Sequence, residues 1–557
     1  MRKNIVVLVA AVSSLCYIAA VLALRTGNNA RSKLSMLVVE YALLLPAASL
    51  VVMWERRTAP EPAAAGRKPR WWPLVAVYLA VTLPLAFALR RGIYNADESA
   101  YLFESKAMLA GAVAAKAPPV TSADARFYQD DFFFENHVIY GSRWFGKYPP
   151  GWPALLAAGM ASKMEWLLNP FLGLATLWLT VALARRLYDE RVARLSALLL
   201  VLSPFFVLNA VGYMSHPACG AAIAGAALLL HKGLASRRLA HFAGMFALLA
   251  CAFLMRPATA FAAGAVLGAA LCWGLRREPA RLVAALALGV LLCGAAAAGL
   301  LLHNRALTGD PLLSPYAVSR NTRLPVEVNP RPANLVWNLR AITSISLAKT
   351  ALDAVPFLFL LAACVPFFER RLWTLLLAAL FLALVAVYLP QVEVSDSVVG
   401  ERYYFEAYFA VAILAARGWT RFADFRRVPR YIALTLAGGL IAVQVFHFGL
   451  LVNTMLRIKT GYGRVLEAVD GLRLDRAVVL MKPAPGFGAK NFNPNAADWE
   501  RAPVFYVKDP GPARRQEVVC ALGRPRWVVV SYRRDLGQAI IVDRGDAACS
   551  AEQAARR

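Results

Sequence analysis

The segment Tyr94-Asn95-Ala96-Asp97-Glu98-Ser99-Ala100-Tyr101 sets two adjacent carboxylates immediately after an apolar run. A carboxylate placed beside a hydroxyl can act as a general base, a contribution of roughly 10²–10⁴-fold. At the far end of the same loop stands Lys147-Tyr148-Pro149-Pro150-Gly151-Trp152. The two prolines fix the returning backbone and Trp152 suits a membrane interface, which holds Lys147 at headgroup depth, where it can meet a phosphate. Each feature also has a plain reading: the acids complement a helix dipole, and the lysine snorkels. Further polar residues stand at outer ends of apolar runs. They are Tyr213 and His216 in Gly-Tyr-Met-Ser-His-Pro, Arg256 in Met-Arg-Pro, His303-Asn304 before Thr308-Gly309-Asp310-Pro311, and Glu401-Arg402-Tyr403-Tyr404. Singly, each reads as an anchor or a cap. Gathered at one face they point to a site, because ionisable groups at membrane depth are costly.

The elements that must position these residues follow from composition. Of 557 residues, 59% are hydrophobic and 17% charged, with a mean hydropathy of +0.51. An ordinary soluble domain is roughly 45–50% apolar and about 25% charged. Disordered, collagen-like, disulfide-scaffold and wholly soluble classes are therefore excluded, and a polytopic membrane protein is expected. The balance of 61 Lys+Arg against 34 Asp+Glu, net +27, could suggest nucleic acid. The basic residues instead cluster in short loops between apolar runs, as cytoplasmic loops do, so no nucleic-acid partner is expected.

Apolar runs near Ile5–Leu24, Leu34–Trp54 and Trp71–Leu89 begin a series that includes Leu195–Leu208, Ala351–Phe367 and Tyr404–Ala415 and ends at Tyr431–Leu451. The series amounts to about 13 spans of a hydrocarbon core about 30 Å thick. With a cytoplasmic N-terminus, the inside loops carry Arg56-Arg57 to Arg70, Arg185-Arg186 to Arg194, Lys232 to Arg238, Arg276-Arg277 to Arg281, Arg370-Arg371 and Arg417 to Arg430. The basic outside loop Arg25 to Lys33 runs against that orientation. The loop Arg90–Trp152, rich in acids (Asp97, Glu98, Glu104, Asp124, Asp130, Asp131, Glu135), is too long for a connector, and such loops are usually functional.

Asn95-x-x-Glu98 predicts a capping box opening a helix to about Ala110. The stripe of Tyr101, Leu102, Met108 and Leu109 would lay it in the interface plane, with Asp97 facing the lipid–water boundary. The tail differs: the β-prone runs Val478-Val479-Leu480, Val504-Phe505-Tyr506-Val507, Trp527–Tyr532 and Ile540-Ile541-Val542 predict a small α/β unit of about 100 residues. Its Cys520 and Cys549 could pair in an extracytoplasmic compartment, whereas the other six cysteines read as packing residues. The expected fold class is an all-α polytopic membrane protein with a small C-terminal α/β extracytoplasmic domain. Its divisions are extra N-terminal spans at 1–70, a transmembrane core at 71–452 with the long loop 90–152, and the tail at 453–557.

Asp97-Glu98, the closing Lys147-Tyr148-Pro149-Pro150 and the later Arg402-Tyr403-Tyr404 resemble the membrane-embedded GT-C glycosyltransferases. The nearest type is family 39, with protein O-mannosyltransferases and the aminoarabinose transferases of lipid A. The stretch from His303-Asn304 to Pro315-Tyr316 resembles a pattern of bacterial members. The likeness runs from about Trp71 to Leu451; the spans before Trp71 and the tail depart from it. It implies a GT-C fold and an inverting transfer of a hexosyl or pentosyl group from a polyprenyl-phosphate donor to an acceptor hydroxyl. A phosphate leaving group needs positive charge more than an acid. Lys147, with Arg256 or Arg402, is expected to supply it, with Asp97 as the base and Glu98 beside it to cap or orient. Asp130, Asp131, Tyr148, His216, His303, Glu401 and Tyr403 are expected to contact acceptor or sugar.

No cofactor is assigned with certainty and no metal site is assigned, although Asp130 and Asp131 could hold a divalent cation, as in some members. Expected partners are the lipid-linked sugar, a glycolipid, glycan or protein acceptor, and the bilayer of a bacterial inner membrane. A transporter or flippase of lipid-linked sugars would call for charged or Gly/Pro-broken segments near the midplane, which are scarce. A polysaccharide polymerase or ligase would carry its principal loop late in the chain, and a non-enzymatic scaffold would need no such set of ionisable residues.

Overall fold

A computed structural model describes residues 72–119, 134–319, 332–341, 346–355, 358–390, 399–425, 430–484, 487–533 and 536–549. The two runs expected before Trp71, and Asp124, Asp130 and Asp131, lie outside these residues. Most of the described chain is helical. Among the described residues, five helices are long and apolar enough to cross a membrane: Trp72–Leu89, Glu165–Leu187, His216–Ser236, Pro257–Leu275 and Pro279–Thr308. Gly151–Ala161, Leu239–Met255, Leu358–Phe368 and Leu372–Tyr388 are apolar but shorter.

Three expected spans are interrupted, each at an identifiable residue. The run Leu195–Leu208 divides into Glu190–Val201 and Pro204–Asn209, because Pro204 lacks an N–H and suits the first position of a new helix. Ser203 Oγ caps that helix by accepting from Phe206 N at 3.4 Å. The run Ala351–Phe367 divides around Asp353, into Ala348–Leu352 and Leu358–Phe368. The buried Asp353 carboxylate accepts from Gly400 N at 2.6 Å and lies 2.7 Å from His447 Nε2. At Tyr404–Ala415, a 3₁₀ turn, Arg402–Ala407, precedes the helix Tyr408–Phe425. The run Tyr431–Leu451 instead grows into a helix of 42 residues, Arg430–Gly471. At 1.5 Å per residue that is roughly 63 Å, about twice a hydrocarbon core.

The long helix runs on to the C-terminal sheet. There β4 (Ala477–Met481) pairs in parallel with β5 (Val504–Lys508) and β6 (Arg526–Arg533), and β7 (Gln538–Asp546) closes the edge antiparallel to β6. The helix Pro512–Ala521 connects β5 to β6, and Cys520 is disulfide-bonded to Cys549. The four β-prone runs of the tail are the four strands. The long loop also forms a sheet that its sequence does not announce. Its strands β1 (Ala115–Lys116), β2 (His137–Tyr140) and β3 (Arg143–Gly146) are ordered β1-β3-β2 and all antiparallel. Gly141, at φ +58°, makes the turn from β2 to β3.

One hydrophobic core joins the loop to the tail. Ile93, Phe103 and Trp144 pack in it with Val478, Leu480, Phe505 and Val529, and the Trp144 and Phe505 ring centroids are 6.1 Å apart. The long helix docks closely enough on the end of Trp72–Leu89 that a Cβ on Gly92 would stand 2.1 Å from the Lys459 carbonyl oxygen and 2.9 Å from its Cα. Neither backbone atom can move without shifting the helix. Gly92→Ala is therefore expected to cost about 1–3 kcal/mol. Gly268→Ala, with nothing within 4 Å of its Cβ, is expected to be neutral or stabilising by about 1 kcal/mol. Thermal unfolding of the two purified variants tests the docking; equal melting temperatures would contradict it.

Candidate active site

The site is built on the helix Ala96–Leu109, hereafter the site helix. Asn95 caps it, its side chain accepting from Glu98 N at 3.0 Å. Glu98 reaches back to Tyr94 N at 2.7 Å, one residue before the position that a capping box prescribes. Its carboxylate also accepts from Tyr213 N at 2.9 Å and pairs with Lys459 at 3.1 Å. Both side chains of that ion pair are 1% exposed. Gly212, at φ +118°, leaves room for it: a Cβ there would stand 2.4 Å from Glu98 Oε1. Glu98 thus joins the site helix to the Tyr213 loop and to the long helix.

The site helix does not lie open in the interface plane. It is buried over most of its length, because its far side packs on the tail: Ser99 Oγ accepts from Asn493 N at 2.7 Å, and Lys106 Nζ donates to Pro494 O at 2.9 Å. Asp97 consequently faces protein instead of the lipid–water boundary.

Asp97 Oδ1 accepts from Asn136 Nδ2 at 2.6 Å and from the Tyr148 hydroxyl, and Oδ2 accepts from Arg402 Nη2. Burial works against its charged form, but Arg402, Lys147, the Tyr148 hydroxyl and Arg256 together outweigh burial and hold it below the ordinary aspartate range. Lys147 is buried, and among the described residues no carboxylate lies within ion-pairing distance of it. Its Nζ stands over the rings of Tyr316 at 4.8 Å and Tyr148 at 5.5 Å. Tyr148 in turn packs on Tyr101 at 4.3 Å.

A second pair lies on the other side of Tyr403. Arg256 is 2.7 Å from Glu406 Oε1 and donates to the Tyr388 hydroxyl at 2.9 Å, and His216 Nδ1 lies 2.9 Å from the same glutamate oxygen. The Tyr403 ring, stacked on Tyr388 at 4.6 Å, lies 5.4 Å from the Arg256 guanidinium and 5.7 Å from that of Arg402. Two arginine–carboxylate pairs and one further lysine therefore surround a set of tyrosines. Asp97, His216, Arg256 and Tyr388 come from helix ends, Arg402, Tyr403 and Glu406 from a 3₁₀ turn, and Lys147 and Tyr148 from the segment after β3.

Of the residues expected from sequence, Asp97, Lys147, Tyr148, His216, Arg256, Arg402 and Tyr403 converge here. Glu401 points elsewhere: its carboxylate accepts from Ser346 Oγ at 3.3 Å, and burial pushes its pKa up to about 7. No hydrogen bond or ion pair joins His303 to the cluster among the described residues. The neighbouring Thr308-Gly309-Asp310 segment serves as a helix terminus, with Gly309 at φ +84° and Asp310 Oδ1 accepting from Leu312 N at 2.9 Å. Asn136, Tyr388, Glu406 and Lys459 were not anticipated, and Tyr316 was marked only as the end of the stretch that begins at His303. Glu406 did carry a signal, since a lone acid inside an apolar run is costly without a partner. Glu104, buried and accepting from Tyr148 N at 3.1 Å, is pushed well above the ordinary glutamate range by burial.

The fold and this cluster define a mostly helical membrane protein with a buried set of paired charges. Residues 151–300 match the family model of dolichyl-phosphate-mannose-protein mannosyltransferase. The resemblance drawn from the residues is matched over that stretch, which holds Tyr213, His216 and Arg256 but not Asp97, Lys147 or Arg402. Three solved structures are similar at low identity. ArnT from Cupriavidus metallidurans, bound to undecaprenyl phosphate, is 13% identical with a TM-score of 0.49, covering 82% of this chain and 93% of that one. The oligosaccharyltransferase of Archaeoglobus fulgidus is 12% identical with a TM-score of 0.43, covering 70% of this chain; the chain spans 56% of its length. Arabinosyltransferase EmbB from Mycobacterium smegmatis is 15% identical with a TM-score of 0.36, covering 78% of this chain and 45% of that one. No curated protein matches the chain.

Two outcomes are expected from the electrostatics. Lys459→Met leaves the Glu98 charge buried without its cation and should cost about 3–5 kcal/mol, most of it recovered in the Glu98→Gln/Lys459→Met double variant. Denaturant unfolding of the three proteins measures this, and simple additivity would show that the pair is not coupled. Glu401 has a folded pKa of about 7 against an ordinary 4.5, so the folded state binds the extra proton between those values. Stability from this group is full below about pH 4.5 and is lost as pH rises through about 7. Glu401→Gln should flatten the fall in melting temperature between about pH 5 and 8; an unchanged slope would remove Glu401 as its source.

Proposed function

We propose that this chain is an inverting glycosyltransferase that moves a sugar from a polyprenyl-phosphate donor to an acceptor hydroxyl at the extracytoplasmic membrane face. The observation that carries this reading is the meeting of Asp97, Lys147, Arg256 and Arg402, from four separate segments, in one cluster whose aspartate and lysine are buried and whose arginines are largely so. Lys147 and one or both arginines receive the donor phosphate. The N-terminal ends of His216–Ser236 and Pro257–Leu275 lie beside it, and helix N-termini favour an anion.

Asp97 takes the proton from the acceptor hydroxyl. The acceptor oxygen then bonds to the anomeric carbon from the face opposite the phosphate. The carbon–oxygen bond to phosphate breaks with its electron pair on that oxygen, polyprenyl phosphate leaves and the anomeric centre inverts. In the ligand-free site Asp97 is a weak base, because Arg402, Lys147 and Tyr148 stabilise its charge. A donor phosphate competes for the same cations, so its arrival relaxes their hold and makes Asp97 a better base in the complex. Glu98, through Lys459, orients the turn that carries Asp97. Tyr148, His216 and Tyr403, which stand beside these charges, are assigned to contact sugar or acceptor. Glu401 and His303 are left outside this role, and the divalent cation considered for Asp130 and Asp131 falls on residues that the structure does not describe.

The same reading assigns about 13 spans with a cytoplasmic N-terminus, a transmembrane core at 71–452 and an extracytoplasmic tail at 453–557, set in a bacterial inner membrane. The Cys520–Cys549 disulfide supports an oxidising compartment for the tail. The acceptor is a glycolipid, glycan or protein.

Mass spectrometry of cell-envelope glycolipids and glycans, from deleted and complemented cells, tests the activity. Wild type should restore one missing sugar. Asp97→Asn should lower transfer by about 10²–10⁴-fold with donor binding retained. Lys147→Ala should weaken donor binding. Full restoration by Asp97→Asn would reject Asp97 as the base and favour transport of the lipid-linked sugar.

A further inference from the structure

Behind the site helix, away from Asp97, lies a cleft of about 370 Å³. Ser99 and Lys106 line it, two and nine residues on from Asp97, which at 3.6 residues per turn is roughly 180–200° around the helix. Its other walls include Arg90 and Arg91 at the outer end of Trp72–Leu89, Asp470 of the long helix and Asn493 of the tail. It is therefore a separate space from the Asp97 cluster and is formed by four segments.

Its chemistry is cationic and rich in donors. Three cations line it against one carboxylate, Asp470. Arg90 stacks on Phe87 at 3.6 Å and donates to the Phe87 carbonyl at 2.7 Å, leaving most of its guanidinium donors for other partners. Lys106 Nζ donates to Pro494 O at 2.9 Å and Asn495 O at 3.0 Å, which uses two of its three protons. Burial lowers its pKa to about 8, a cost that a bound anion would offset. Asn493 is 3% exposed, and its Nδ2 has no hydrogen-bond partner among the described residues, although a buried unpaired donor is costly. Arg90 and Arg91 directly follow an apolar helix of membrane-spanning length, which sets the cleft at headgroup level.

We propose that this cleft binds the phosphate group of an anionic membrane lipid, bridging the outer end of the Trp72–Leu89 helix, the site helix and the tail. A phosphate accepts on every oxygen, matching walls that offer arginine, lysine and amide donors. A zwitterionic headgroup would bring its own cation to a cleft that already holds three. The inference does not depend on the transferase reading, since it concerns binding alone.

The test uses the purified full-length protein in zwitterionic detergent. Short-chain phosphatidylglycerol, phosphatidylcholine and inorganic phosphate are each titrated while thermal unfolding and bound lipid by native mass spectrometry are followed. Phosphatidylglycerol should bind saturably and raise the melting temperature, with phosphatidylcholine far weaker. Arg91→Gln, at an exposed residue, and Lys106→Met should each weaken phosphatidylglycerol about tenfold, the scale of one hydrogen bond to a charged group. Asp470→Asn should tighten it. Lys147→Ala should leave it unchanged, which separates this cleft from the donor site. Equal responses to the two lipids, or undiminished phosphatidylglycerol binding in Arg91→Gln and Lys106→Met, would overturn the proposal. Inorganic phosphate alone producing the whole shift would overturn the lipid assignment.

Discussion

Asp97 and Glu98 are consecutive on one helical turn, yet they pair with cations in different parts of the protein. Asp97 meets Arg402, 305 residues on, and Glu98 meets Lys459, 361 residues on. Helical geometry sets consecutive side chains about 100° apart, so one turn can look into the cluster and into the architecture at once. The Glu98–Lys459 pair is almost wholly buried and is supported by two backbone N–H groups. An ion pair in such surroundings holds geometry more than it adds net stability, because desolvation opposes the Coulomb gain. Its consequence here is positional: it ties the turn bearing Asp97 to the long helix, while Asp97 itself ties that turn to Arg402 of the 3₁₀ turn.

The cluster places charge where it is most effective. Tyr148, Tyr316, Tyr388 and Tyr403 surround Lys147, Arg256 and Arg402 with rings in place of water. In low dielectric each cation acts more strongly on an incoming anion, and on Asp97, than it would at an exposed surface. The same environment makes an uncompensated charge expensive, which accounts for the two arginine–carboxylate pairs. Lys147 is balanced differently, by two ring faces.

The tail and the long loop form one hydrophobic unit. Trp144 and Phe103 of the loop share a core with Val478, Leu480 and Phe505 of the sheet, and Ser99 and Lys106 bond directly to tail residues. The helix bearing Asp97 is therefore held from behind by the C-terminal part of the chain. A helix of 42 residues makes this contact possible, since half its length would be used up in crossing a bilayer.

Local signals were enough for much of this. Apolar run length and basic clusters announce a helical membrane protein, because hydrocarbon admits few other backbones. Asn95-x-x-Glu98 placed the start of the site helix, and the β-prone runs of the tail became its four strands, since capping and alternation act between near neighbours. Residue types marked Asp97, Lys147, Arg256 and Arg402, because a charge at membrane depth must have a purpose or a partner. What needed the tertiary structure was every pairing across the chain. Nothing near Lys459 in sequence points to Glu98, nothing near Glu406 points to Arg256, and the loop hairpin takes its stability from Phe505 and its neighbours in a distant sheet. The lie of the site helix was decided the same way: its exposed-looking polar residues became buried once the tail supplied partners. Local rules set which residues are able to act, and packing between remote segments set which of them meet.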